Sequence, residues 1–358
     1  STLSSLQTAA SSLIPGTGVS LSEKYQTTSA SVADTTIATV TTTASAVSGQ
    51  YSLEVSSLAQ AQRLVSPDNT NASGSTAVAN SLNNGGKLTI ELGTLSDAYA
   101  YSADGSKTLT VSVKAGSTLA ELRDAINSAA TDGRVLATII KGTNGDQLIL
   151  TSGKTGTANV MRVTGDTTLG TGFDFNPAGS ASGSGNLSQA ADKGGQSALD
   201  ATFKINGISG KSSTNTVSGV LDGVTLTLAK QTSTGSTTTL TVSSNKTSAL
   251  TSALNAFIKS YNHANSTMTS LGAYNATTKT ASTLTGNSTL RNAQSQIRGL
   301  VFNTTQGGTS PYQRLSDIGI SLAKDGSLSL NTTKLSAAVN ADFAGVTNLV
   351  SKIGTAFK

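Results

Sequence analysis

Cysteine and tryptophan are absent from these 358 residues, and histidine occurs once, at position 263. Those absences exclude a disulfide scaffold, thiolate metal sites and cysteine catalysis. A nucleophilic triad needs an imidazole beside Ser or Cys. His263 is the one candidate, it sits in "SYNHANS", and no GxSxG elbow accompanies it, so it reads as a surface or cap histidine. Carboxylates are scattered singly, so no metal site and no cofactor are expected. Aromatic residues make up 4% and hydrophobic residues 36%, which implies thin aliphatic cores. Charged residues make up only 12%, and Val, Ile and Leu recur in ordered alternation, which argues against disorder. No apolar run exceeds stretches such as Val135 to Ile140, so no membrane insertion is expected. The chain opens on Ser1 with no signal-peptide pattern and reads as a fragment.

Two short motifs imitate chemistry. "SGKTGT" (Ser152–Thr157) resembles part of a phosphate loop, but position 148 is Leu where the motif needs Gly, and it reads as a turn. "AKDGS" has the Asp-Gly of a calcium loop without its spaced carboxylates or closing Glu. A carbohydrate-active enzyme would need paired carboxylates at a cleft, and nothing in the spacing recommends such a pair. The net charge of +5 is uneven: residues 247–358 carry nine Lys/Arg against three Asp/Glu. These cations are isolated and lack interleaved aromatics, so nucleic-acid binding is not expected. They read as a solvated face, with docking onto an acidic protein as the alternative.

Helical periodicity marks both ends and strand periodicity fills the middle. Leu3, Leu6, Ala10 and Leu13 share one helical face before Pro15 and Gly16 end it. Val346, Val350, Ile353 and Phe357, led by Phe343, form a second stripe. Both stripes read as cut off, so either coiled-coil or oligomer contacts or the chain's own core could claim them. A helix is expected over 248–271 with Leu250, Leu254, Phe257, Ile258 and Tyr261 inward. Another is expected over 288–301 with Leu290, Ile297, Leu300 and Val301 inward. Between it and the last helix, Ile318, Ile320 and Leu322 alternate, Lys324-Asp325-Gly326 turns, and Leu328 and Leu330 alternate again, predicting a hairpin.

The middle alternates as strands do at Tyr51, Leu53 and Val55, at Phe203 and Ile205 before Asn206-Gly207, and at Val224, Leu226 and Leu228 after Asp222-Gly223. Residues 68–196 read as an insertion with its own core. There Leu109, Val111 and Val113 make a strand, and Thr118 with Glu121 forms a capping box opening a helix to Ala130. Val135 to Ile140 and Leu148 to Leu150 then pair around Asn144-Gly145. "SPDNTNASGST" from Ser66 and "NPAGSASGSGN" from Asn176 flank it as loops. All four prolines fall at these breaks. The expected fold class is therefore α+β and multidomain. A helical domain (1–20 and 247–358) encloses a β-rich domain (21–66 and 197–246), which encloses an α+β domain (68–196).

Four segments carry a family resemblance. "GQYSLEVSSLAQAQRLVS" (Gly49–Ser66) resembles the entry into the β domains of hook-associated protein 2, the bacterial flagellar filament cap. "ATFKINGISGKSSTNTVSGVLDGVTLTL" (Ala201–Leu228) looks like a repeat shared by flagellar hook and cap proteins. "GNSTLRNAQSQIRGLV" (Gly286–Val301) and "LSDIGISLAKDGSLSLNTTKL" (Leu315–Leu335) are similar to the C-terminal half of that family. Residues 68–196 match less clearly. The resemblance implies a helical leg domain from both termini, two nested β-rich domains forming a plate, and terminal coiled-coil segments that are missing here. It also implies export by the flagellar secretion apparatus, an extracellular place at the flagellum tip, and a homo-oligomeric ring or plate. The implied partners are flagellin, whose ordered insertion the cap promotes, and hook–filament junction proteins. The alternative reading is another flagellar axial protein or an extracellular adhesin.

Overall fold

A computed structural model describes residues 2–69 and 76–357. Part of the loop expected from Ser66, residues 70–75, lies outside the described residues. Helices α1 (Thr2–Ser11) and α2 (Leu21–Tyr25) come first. Strands β1 (Thr27–Val32), β2 (Ala38–Thr42), β3 (Gly49–Ser57) and β4 (Ala61–Val65) follow. Next come α3 (Thr76–Asn84), β5 (Gly86–Leu95), β6 (Tyr101–Val113) and α4 (Leu119–Ala129). Strands β7 (Val135–Gly142), β8 (Gly145–Thr155), β9 (Val160–Gly165), β10 (Phe175–Asn176) and β11 (Ser184–Gly185) continue the chain. The next five are β12 (Ala201–Ile205), β13 (Ile208–Ser212), β14 (Thr216–Leu221), β15 (Val224–Leu228) and β16 (Thr238–Asn245). The long helix α5 (Ser248–Gly272), the hairpin of β17 (Tyr274–Asn275) and β18 (Thr280–Ala281), and α6 (Ser288–Phe302) come after. The hairpin of β19 (Ile320–Leu322) and β20 (Leu328–Leu330) precedes α7 (Thr332–Ala341) and α8 (Phe343–Ala356).

The chain divides into two compact units, one of residues 1–29, 42–49 and 242–358, the other of 30–41 and 50–241. The first is mainly helical. Its core joins Leu6, Ala10 and Leu13 to Leu250, Leu254 and Phe257 of α5 and to Val346, Val350 and Ile353 of α8. Helix α5 holds one apolar face over its full length, because its buried residues recur every three or four positions. Asn262, halfway along α5, accepts a hydrogen bond from Leu328 N–H and donates one to its carbonyl, fixing the β19–β20 hairpin on the helix.

The strands form sheets in the orders β1-β16-β3-β12-β13, β14-β15-β2, β11-β10-β9-β5-β6 and β4-β8-β7. In the second unit, a separate core gathers Leu88, Ile90 and Leu92 of β5 with Leu122 and Ile126 of α4, Leu148 and Leu150 of β8, and Phe173 and Phe175. This core also takes in Leu64 of β4, upstream of the insertion expected from residue 68, because β4 pairs with β8 through Leu64↔Leu150. Arg162 on β9 lies opposite Glu91 on β5 and forms a 2.6 Å ion pair with it. The Arg162 guanidinium also stacks over Tyr101, whose phenol is pushed up to about 12, chiefly by burial.

Three local expectations are corrected. Ser152–Thr155 is the end of β8, not a turn, since the hydrogen-bonded ladder with β7 reaches Ser152. The Asn176 loop contains the β10–β11 hairpin, anchored by buried Phe175 opposite Gly185. Leu300 points outward, because α6 lies against its neighbours with Leu290, Ile297 and Val301 instead. Helices α2, α3 and α7 and strands β5 and β9 were not anticipated.

Candidate interaction surface

Polar chemistry is sparse in the helical unit. His263 is exposed on α5, with its carbonyl accepting from Thr267. Arg298 on α6 donates to Asn265 on α5, and Asn265 donates to the Asp325 carbonyl in the β19–β20 turn. Burial raises the Tyr261 phenol above its usual range, and the neighbouring Arg298 partly opposes that shift. At the start of α8, Asp342 accepts from Ser310 Oγ at 2.7 Å and from the Gly345 N–H at 2.8 Å. Those two bonds, Ser310 first, hold its carboxyl below the ordinary aspartate range. Among the described residues no three His, Cys, Asp or Glu side chains converge as metal ligands, and no helix is long and apolar enough to cross a membrane.

The two terminal stripes meet inside this unit. Leu6, Ala10, Leu13, Val346, Val350 and Ile353 are all buried in one core, where α1 lies against both α5 and α8. Their placement follows the alternative in which amphipathic helices face their own core. Phe357 is half-buried and meets Phe257 edge-on, with ring centroids 5.6 Å apart. Gly354 lets α8 approach α1: a Cβ there would stand 2.6 Å from the Ala10 carbonyl oxygen. Leu3 is different. Its side chain is 48% exposed on the outer side of α1.

Other apolar side chains of the unit also face outward, and the sequence reading did not single them out as a surface. Leu271 and Tyr274 are exposed where α5 gives way to the β17–β18 hairpin. Leu300 and Phe302 are exposed in the last turn of α6, Phe302 by 54%. A cavity of about 690 Å³ opens beside Phe302, lined by Leu315, Ile320, Leu322 and Leu328, with Arg314 among its polar residues. A signal was available in "RGLVF": three successive large apolar residues end α6, and a helix buries only one side. The arrangement offers apolar contact area with Arg314 beside it.

Comparison with known proteins agrees along the chain. The family described as flagellar hook-associated protein 2 C-terminus matches residues 198–356, and its N-terminal counterpart matches residues 1–62. The flagellin hook IN motif matches residues 101–154, inside the insertion and not at the repeat-like 201–228. The A-type flagellar hook-associated protein 2 of Pseudomonas aeruginosa is 30% identical over 350 residues, spanning 92% of this chain and 69% of its own length. Flagellar hook-associated protein 2 of Escherichia coli is 33% identical over 361 residues, spanning 98% and 70%. The crystal structure of a three-domain piece of the Escherichia coli flagellar cap protein aligns with a TM-score of 0.68 and 29% identity, covering 99% of this chain and 92% of that one.

Proposed function

The chain belongs to the flagellar hook-associated protein 2 family, the filament caps of bacterial flagella, and on that premise we propose that it acts by self-association at the distal filament end. There, outside the cell after export by the flagellar secretion apparatus, it promotes ordered insertion of flagellin subunits. Its function lies in shape and interfaces, with hook–filament junction proteins as further partners. The single observation that carries this reading is the family match at both ends of the chain, residues 1–62 and 198–356. That match takes support from the alternative, another axial protein or an adhesin.

The proposed architecture is the nested one, with the helical unit as a leg and the β-rich parts as a plate. Within the leg, the buried stripes of α1 and α8 supply rigidity, and Leu3 is the named stripe residue whose side chain is free to meet another subunit. A cap of this kind forms closed rings when the rotation between two different patches closes. The test is complementation of a bacterium deleted for its own cap protein. Restored filaments, with flagellin no longer lost to the medium, are expected. Continued loss of flagellin from cells that export this protein would refute the proposal.

A further inference from the structure

Asparagine side chains stand in for strand neighbours at three places. Asn127 of α4 accepts from the Ala137 N–H at 2.8 Å and donates to the Ala137 carbonyl at 2.9 Å. Asn262 treats Leu328 of β20 the same way, at 2.7 and 2.9 Å. Asn215 repeats the exchange with Ala59, at 2.7 and 3.0 Å. A primary amide carries a donor and an acceptor side by side, as one residue of an adjacent strand does.

The Asn127 case has a consequence of its own, because β7 is the edge of the β4-β8-β7 sheet. β7 pairs with β8 without a register shift from Val135↔Ser152 to Gly142↔Gly145. Backbone groups alternate in direction along a strand. Since Asn127 engages Ala137, the residues facing away from β8 are Val135, Ala137, Ile139 and Lys141. The strand contains no proline, and on one face of the sheet it shows the side chains of Leu136 and Ile140, 54% and 57% exposed. An edge of this length, with neither a bulge nor a proline to block it, invites a further strand. Two copies of β7 related by a twofold axis could satisfy each other's outward groups, and the Asn127 amide sits in the middle of that row.

We infer that Asn127 is an edge seal, whose amide keeps β7 closed to pairing with β7 of a second copy of this chain. Self-association is thereby turned away from this edge, whatever contacts the protein uses elsewhere.

Hydrogen exchange on the unaltered chain reads the seal directly. The Ala137 amide should be protected well beyond those of Ile139 and Lys141, and equally fast exchange at all three overturns the inference whether or not any variant folds. Asn127→Ala removes both bonds while placing a good helix former in α4. Its average mass in sedimentation should rise with concentration above that of the parent, with exchange slowed at Ile139 and Lys141. Adding Lys141→Pro deletes an outward-facing N–H at an exposed position and spares the ladder to β8. The double variant should return to the parent's association. A folded Asn127→Ala whose mass tracks the parent at every concentration overturns the inference, and so does association that Lys141→Pro leaves unchanged.

Discussion

The phenol of Tyr25 donates a 2.7 Å hydrogen bond to the carbonyl oxygen of Leu13, and both residues are sealed inside the helical unit. The bond ties the short α2 to the turn that ends α1. Tyr25→Phe leaves that carbonyl buried without its partner, which should cost about 1–3 kcal/mol in urea titration. Burial holds the phenol above its ordinary range. A raised folded pKa contributes stability that is present below the unfolded tyrosine value, about 10, and is lost as pH rises through the folded one. Tyr25→Phe should therefore flatten the alkaline limb of the stability curve, partially, since Tyr261 is raised too. An unchanged alkaline limb would reject the assignment.

Gly354→Ala opposes two effects of different size. Intrinsic helix propensity favours alanine by about 1 kcal/mol. The new methyl would lie 2.6 Å from both the Ala10 carbonyl oxygen and Ile14 Cγ1. Moving α1 and α8 apart to relieve that overlap would loosen a core of buried aliphatics, and overpacking of this kind costs about 1–3 kcal/mol. Destabilisation should win. A higher denaturation midpoint in the variant would show that the α1–α8 approach is looser than described.

Asp342 makes the helical unit sensitive to acid. Its carboxyl is depressed by Ser310 and by the Gly345 N–H. The associated stability is complete above the ordinary aspartate pKa, about 3.9, and is lost as pH falls through the lower folded value. Asp342→Asn keeps an acceptor for the Gly345 amide and removes the titration, so its acid limb should be shallower than the parent's. Glu23 and Asp325 are depressed by their own hydrogen bonds, so a residual slope remains. Parallel acid limbs in parent and variant would exclude Asp342 as a contributor.

The nested arrangement can be tested by excision. β3 and β12 are antiparallel neighbours with Ser57 opposite Thr202. Replacing residues 58–201 with Asn-Gly would join them as a two-residue hairpin. This cut lies outside the 68–196 boundary because β4 pairs with β8 and Leu64 belongs to the inserted core. We expect the shortened chain to unfold cooperatively by calorimetry. A broad, heatless transition would mean that the excised segment is part of one indivisible fold.

Legibility from sequence followed the strength of the local signal. α5 was plain because Leu250, Leu254, Phe257, Ile258 and Tyr261 keep one face over about three turns of helix. α4 was plain because Thr118 and Glu121 form a complete capping box. The Ser20–Glu23 box of α2 is just as complete, yet a five-residue helix carries too little periodicity to draw notice. β5 does alternate at Leu88, Ile90 and Leu92, but Gly85-Gly86 at its start and the polar segment before that resemble loop. α7 lay hidden because Asn331-Thr332-Thr333 reads equally as the end of a hairpin and as a helix cap. Leu300 fell on the wrong side because neighbouring apolar residues on a helix cannot all be inward. The eight stripe residues were found as apolar faces, while the partner of each face is tertiary information that spacing does not carry.

The core of the helical unit is drawn from both ends of the chain, and that gives the molecule an order in time. When the chain is delivered N-terminus first, Leu6, Ala10 and Leu13 arrive more than two hundred residues before α5 and α8. The strands between them can settle while α1 waits with its apolar stripe in water. The wait costs little in equilibrium terms, since doubling the length of an intervening loop adds only about 0.6 kcal/mol. It is a kinetic exposure. A chaperone, or a channel that keeps the chain extended, would serve this protein most during that interval, until α8 emerges and closes the core that α1 opened.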